Sequence, residues 1–209
     1  RDLARRAAFD AKQLIICEGY MDVIGLAQAG VAHAVAPLGT AITADQLQLC
    51  WQLVDAPTLC LDGDNAGQRA MGRAMELALP LLVPGKTLQI AVMPKGEDPD
   101  SLIRQAGKAA FDEVMGAAQP LASLLWQQAM SGGAPTPEAG AAQEELLMRK
   151  VGEIKHPTVQ HYYKQYMRDR LRERQQQQFQ RNQGQWKADG KAGGKSGGKF
   201  TPGKEEAVA

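Results

Sequence analysis

Apolar residues in the first hundred positions fall into short continuous runs, separated by segments with helical spacing. Gln13 to Cys17 is such a run, as expected of a strand buried in a parallel sheet. Ala34 to Ala36, Thr58 to Leu61 and Thr87 to Val92 predict three further strands. Helices are expected between them. Tyr20 to Ala29 places Met21, Ile24, Gly25 and Gln28 on successive turns, and Gly30 stops it. Thr43 is a natural N-cap for a helix through Leu53. After the third strand, Ala66, Ala70, Ala74, Leu77 and Ala78 repeat with a 3.6-residue period, and that helix ends near Leu82-Val83-Pro84-Gly85. Arg1 to Ala11 reads as the end of a preceding helix. Alternation of this kind predicts an α/β fold, with a parallel sheet covered by helices on both faces.

Strand signals stop at Ser101. Leu102–Ala106, Lys108–Ala117 and Leu121–Met130 read as short helices, followed by a Gly/Pro loop from Gly132 to Pro137. Glu138–Ile154 and a basic stretch, Thr158–Arg174, read as longer helices. These make a small all-α subdomain, with Trp126, Tyr162, Tyr163 and Tyr166 as its core and rim rather than a base-stacking platform. Gln175 onward is Gln-rich and then Gly/Lys-rich, a composition that predicts a disordered tail to Ala209.

Charge divides the chain differently from the elements. The net charge is +1, yet residues 1–149 carry eleven Lys/Arg against seventeen Asp/Glu, and residues 150–209 carry thirteen against six. An acidic globular part suits a cation site, and a basic end suits either an anionic partner or simple solvation. For the last thirty residues solvation is the preferred reading. Cys17, Cys50 and Cys60 lie far apart inside apolar runs, so buried reduced thiols are expected rather than a disulfide framework. His33, His156 and His161 do not share a metal-ligand spacing. No apolar run is long enough to span a membrane and no signal peptide is evident. The start at Arg1 rather than methionine points to a piece of a longer protein.

The candidate chemistry lies in Thr58-Leu-Cys-Leu-Asp62-Gly-Asp64-Asn-Ala-Gly67. Residues two apart in extended backbone point the same way, so Asp62 and Asp64 converge. Two readings compete for this turn. Either Asp62 or Asn65 caps the following helix, or the carboxylates hold a cation such as Mg²⁺ between them. On the second reading Gly63 and Gly67 clear space for a metal-bound phosphate. Glu18 and the pair Asp98/Asp100 also fall just past the carboxyl ends of predicted strands, the edge where open α/β sheets bind ligands. Three strand ends delivering carboxylates to one edge favour the metal site.

Four motifs carry a family resemblance: Ile16-Cys-Glu18-Gly-Tyr-Met-Asp22-Val, Ala36-Pro-Leu-Gly39-Thr-Ala, Leu61-Asp62-Gly-Asp64-Asn-Ala-Gly67 and Pro94-Lys-Gly-Glu-Asp98-Pro-Asp100. In this order and spacing they resemble the Toprim core of bacterial replicative primases of the DnaG type, and the likeness runs to about Arg174. The resemblance implies an end of a preceding subdomain over 1–12, a Toprim catalytic core over 13–101, a helical subdomain over 102–174 and a linker or tail over 175–209. It implies Glu18, Asp62 and Asp64 as catalytic residues and principal metal ligands, with Asp22, Asp98 and Asp100 lining the same metal site. The implied function is that of a DNA primase, a DNA-directed RNA polymerase that makes RNA primers by metal-dependent nucleotidyl transfer with Mg²⁺, or Mn²⁺ in its place.

Implied partners are a single-stranded DNA template, ribonucleoside triphosphates and the RNA primer, with a replicative helicase and single-strand-binding protein reached through the parent protein. The implied place is the bacterial cytoplasm, at the replisome. Zinc is expected only in an amino-terminal module that this chain lacks, along with the family's basic subdomain, so primer synthesis by the isolated chain is not expected. A carboxyl-terminal helicase-binding domain is not evident either. Cys17 and Leu61 stand where valine-like and aromatic residues are usual, a mild packing change. A phage-type primase fused to a helicase would need a phosphate loop, of which Gly193-Gly-Lys-Ser196 is only an echo. A non-catalytic Toprim module in recombination or repair is the rival from another class.

Overall fold

The computed structural model describes residues 2–37 and 41–192. Compact packing divides the chain into two units, residues 1–167 and 168–209. Among the described residues, every strand lies in the first unit.

The sheet has five strands in the order β2-β1-β3-β4-β5. β1 (Ile15–Ile16), β2 (Ala34–Val35), β3 (Thr58–Leu61) and β4 (Gln89–Val92) run parallel to one another. All four lie inside the apolar runs expected to form them, and β3 is fully buried along its length. Such burial explains why these runs are continuous rather than alternating. β5 (Gln119–Pro120) pairs antiparallel with β4 at the edge and escaped the sequence reading. It is two residues long, half-exposed and contains a proline, which is tolerated only where no ladder N–H is required. The sheet is therefore mixed, not wholly parallel.

Helices cover both faces. α2 (Tyr20–Gln28) packs on α5 (Pro99–Gly116) over one face, while α1 (Asp2–Ala11), α3 (Ala44–Leu53) and α4 (Asn65–Ala78) line up over the other. Ile15, Cys17, Leu26, Val31, Ala34, Cys60, Met93, Leu102 and Phe111 form the core beneath α2 and α5. Cys17, Cys50 and Cys60 are buried free thiols, as expected. Thr43 caps α3 as read, its hydroxyl accepting from the Gln46 N–H at 3.3 Å while Gln46 returns a bond to the Thr43 N–H.

α2 corrects the sequence reading of its face. Of the residues read on its successive turns, Gly25 is buried while Met21 and Ile24 are 54% and 47% exposed, and the inward face is Asp22, Gly25 and Leu26. The cause is close approach to α5, since a Cβ on Gly25 would lie 2.2 Å from an oxygen of Asp100. The helix turns its smallest residue, not its most apolar stripe, toward its neighbour. Similarly in α4, Ala66 is exposed and the inward face is Gly67, Ala74, Met75 and Ala78.

α5 spans two expected helices, broken where the sequence placed the break: Gly107 has φ +79° and is non-helical. α6 (Leu121–Met130), α7 (Pro137–Gly152) and the start of α8 (Pro157–Ala192) make the helical part. Leu124, Leu125, Leu147, Val151, Ile154 and Met167 are buried there. Tyr162 is 66% exposed, and Tyr163 is half-buried, its phenol pushed up to about 12 mainly by burial. α8 runs on to Ala192, past Arg174 where the sequence reading ended it. Its Gln- and Arg-rich composition has adequate helix propensity even without an apolar stripe. The disordered tail expected from Gln175 is helical as far as Ala192; its remainder, 193–209, and the Leu38-Gly-Thr portion of the second motif lie outside the described residues.

Candidate metal centre at the carboxyl edge of the sheet

In the order β2-β1-β3-β4 the connections leave β1 and β3 in opposite directions, which opens a crevice between their carboxyl ends. Glu18 lies two residues past β1 and Asp62 directly follows β3, so this pair sits at the crevice. Glu18 Oε1 accepts the backbone N–H of Asp62 at 3.2 Å and ties the two strand ends together.

Asp62 is the centre of the acidic group. Its Oδ1 is buried and accepts no hydrogen bond. Burial first, and then the charges of Glu18, Asp22, Asp98 and Asp64, push its carboxyl up to about 6. Glu18, Asp22, Asp64 and Asp98 thus all lie within electrostatic range of Asp62. Asp100 joins through Asp22, whose carboxyl accepts its backbone N–H, which lowers it, and faces its charge, which raises it.

The other carboxylates divide their oxygens between this centre and the backbone. Asp64 accepts the Gly67 N–H at 2.8 Å and caps α4. A cap was expected from Asp62 or Asn65; the structure assigns it to Asp64, one residue before the helix, where N-caps belong. The two competing readings of the turn are therefore compatible, because one oxygen of Asp64 suffices for the cap. Asp98 caps α5 by accepting the Ser101 N–H at 2.6 Å. Asp22, only 7% exposed, accepts N–H bonds from Gly19 at 3.0 Å and from Asp100, bracing the starts of α2 and α5. Burial is the main cause that raises its carboxyl. Asp100 is engaged by Arg104 one turn along α5.

Among the described residues, no three Asp, Glu, His or Cys side chains stand as a group arranged to hold a metal ion. The donor set nonetheless fits a hard cation. It consists of carboxylate oxygens, one of them buried without a partner, and mutual repulsion that a cation would relieve.

Both glycines of the turn have a role that the sequence reading missed. They do not clear space for a phosphate. A Cβ on Gly63 would lie 1.9 Å from the Pro94 carbonyl oxygen, and one on Gly67 would lie 2.1 Å from the Asp62 carbonyl oxygen. Gly63 N–H donates to Glu97 O, and Gly96 N–H donates back to Gly63 O, each at 3.0 Å. This pair of bonds staples the acidic turn to the loop that carries Asp98. No local sequence signal announces it, since the partners lie more than thirty residues apart.

The raised Asp62 carboxyl has a consequence for stability. Between the unfolded value of 3.8 and about 6, the folded chain holds a proton that the unfolded chain has released, so stability falls as pH rises through this window. After discounting for partial exposure, the cost above pH 6 is about 2 kcal/mol. Asp62→Asn should therefore be more stable than the unaltered chain at pH 7 and equal to it near pH 4, as read by denaturant unfolding in metal-free buffer. Equal stability at both values would contradict the repulsion.

Comparison with known proteins places this arrangement. Residues 12–91 match the Toprim domain family. The DNA primase of Escherichia coli K12 is 40% identical over 157 residues, which are 75% of this chain and 27% of that protein. A DNA primase domain from Pseudomonas aeruginosa superposes with a TM-score of 0.73 at 39% identity, covering 81% of this chain and 52% of the other. A DnaG primase catalytic domain bound to single-stranded DNA gives 0.71 at 37% identity, over 79% of this chain and 54% of the other. The sheet with its flanking helices is that of a Toprim domain. Within that class, the chain belongs to the bacterial DnaG-type primases. It spans about a quarter of the length of the curated relatives it matches. The family is metal-dependent. Among the described residues, no helix is long and apolar enough to cross a membrane.

Proposed function

We propose that this chain supplies the metal-holding part of a primase site, which makes short RNA primers on single-stranded DNA by nucleotidyl transfer. The observation that carries the reading is Asp62, with its buried, unbonded Oδ1 and the charges of four other carboxyl groups acting on it at the crevice of the sheet. Glu18, Asp62 and the uncapped oxygen of Asp64 are the residues that would hold Mg²⁺, with Mn²⁺ as a substitute. Asp98 and Asp100 add negative charge at the rim, and Asp22 fixes the helix starts that carry them. When bound, the metal would lower the pKa of a primer 3′-hydroxyl and stabilise charge on a triphosphate. The residues themselves position: Glu18 locks the β3 end through the Asp62 N–H, and the Gly63 staple fixes the Asp98 loop against it.

The single-stranded DNA on the related catalytic domain supports a DNA template as partner. Ribonucleoside triphosphates and the growing primer follow from the same chemistry. A replicative helicase and single-strand-binding protein belong to the proposal through the rest of a primase. A scaffold in recombination or repair has no physical need for four carboxyl groups crowding the charge of a fifth, Asp62, and the relatives do not favour it.

The test is primer synthesis on single-stranded DNA by a primase assembled around this chain. Synthesis should stop on chelation and resume with Mg²⁺; synthesis that persists through exhaustive chelation would sink the proposal.

A further inference from the structure

The loops at the carboxyl edge of the sheet present one exposed aromatic side chain among the described residues, Tyr20, and the metal centre has no use for it. Tyr20 is 64% exposed and opens α2 two residues after Glu18. Its backbone is held firmly, because Gly19 N–H is bound by the buried Asp22 and Glu18 is bound to the β3 end. β1 and β3 are neighbours, and adjacent strands lie about 4.8 Å apart, so the turn after β1 flanks the Asp62–Asp64 turn. Met21 and Ile24, 54% and 47% exposed, continue an apolar strip along the outer face of α2. Tyr20 and Ile24 stand one helical turn apart on that face. The remaining strongly exposed aromatics lie elsewhere: Phe9 is on α1, which leads into the opposite end of β1, and Tyr162 is on α8.

A nucleotide has two parts that such an edge can recognise. Carboxylates with a cation suit its phosphates, and an exposed ring suits the face of its base. A template-directed site must accept all four bases, which hydrogen-bond readout by side chains would prevent. Stacking is tolerant of base identity because every base has a π-face.

We propose that Tyr20 is the base-stacking residue of this site, with Met21 and Ile24 extending its platform, and that it holds the base of the nucleotide whose phosphates meet the carboxylates. The inference rests on the nucleotidyl-transfer reading above. It assigns positioning, not chemistry, to the ring.

The experiment uses the unaltered chain and the variants Tyr20→Phe, Tyr20→Leu and Tyr20→Ala, with 2-aminopurine ribonucleoside triphosphate and Mg²⁺ as probe. Stacking quenches 2-aminopurine fluorescence. The unaltered chain and Tyr20→Phe should quench it with similar affinity. Tyr20→Leu and Tyr20→Ala should lose the quenching and bind about tenfold more weakly. Thermal stabilisation by Mg²⁺ alone should be the same in all four, since Tyr20 is exposed and holds no metal. Equal quenching in Tyr20→Leu, or none in the unaltered chain despite stabilisation by Mg²⁺, would overturn the assignment. Absence of that stabilisation from the unaltered chain would instead remove the metal reading on which it depends, and the assignment with it.

Discussion

Alanine at Asp62, in a primase assembled around this chain, should lower primer synthesis by about 10²-fold to 10³-fold or more while leaving the fold intact. Asp62 carries the buried oxygen without a partner, so it is the carboxyl group left free to meet a cation in the crevice. Its removal relieves repulsion, and no core packing is lost. Loss of activity without loss of stability is the signature that separates a ligand from a structural carboxylate. Glu18→Ala should act in the same way, with some added looseness because the Asp62 N–H loses its acceptor. Asp64 needs a finer test, since alanine would remove the α4 cap as well, at a cost of about 1 kcal/mol. Asp64→Asn keeps an oxygen for the Gly67 N–H but discards the charge. It should retain the stability of α4 and lose activity. Full activity in Asp62→Ala or in Asp64→Asn, measured with Mg²⁺, would contradict the assignment of these residues as ligands.

Alanine at Gly63 should damage both fold and site. Its Cβ would stand 1.9 Å from the Pro94 carbonyl oxygen and 2.6 Å from the carbonyl carbon. Both are backbone atoms, held by the bonds of Gly63 to Glu97 and of Gly96 to Gly63, so neither can swing aside as a side chain would. The acidic turn and the Asp98 loop must separate. We expect a loss of about 3 kcal/mol, the upper part of the usual range for overpacking, together with loss of cation binding. Gly72 in the middle of α4 supplies the control, because a Cβ there meets nothing within 4 Å. Gly72→Ala should stabilise the chain by about 0.5–1 kcal/mol through helix propensity. Denaturant unfolding of the two variants measures both effects; a Gly63→Ala chain as stable as the parent would show that the staple does not hold the turn.

The contrast between these glycines marks what could and could not be read in the sequence. Strands buried on both faces announce themselves as apolar runs, which is why β1 to β4 fell inside their expected stretches and β3 matched from Thr58 to Leu61. Strand ends then place Glu18, Asp62/Asp64 and Asp98/Asp100 on one edge, and this required only the alternation of elements. Features set by long-range packing were hidden. Gly63 faces a carbonyl more than thirty residues away, so its purpose was misread as space for a phosphate. The inward face of α2 follows Gly25 against Asp100 rather than the apolar Met21 and Ile24. β5 owes its existence to its neighbour β4, and Gln119–Pro120 has no strand propensity of its own. Caps lay between these extremes. Thr43 was legible because it is the capping side chain at its helix start, whereas Asp62, Asp64 and Asn65 all offer one within four residues and only the helix start at Asn65 selects Asp64.

The central claim is that repulsion among these carboxyl groups is organised around a divalent cation. Titration of the metal-free chain with MgCl₂ at pH 7.5, by calorimetry and thermal unfolding together, tests it most directly. The unaltered chain should bind, and its stability should rise by about 2.7 kcal/mol at a hundred times the dissociation constant. Asp62→Asn, already relieved of repulsion, should show neither binding heat nor stabilisation. An identical response of the two proteins to Mg²⁺ would contradict the account.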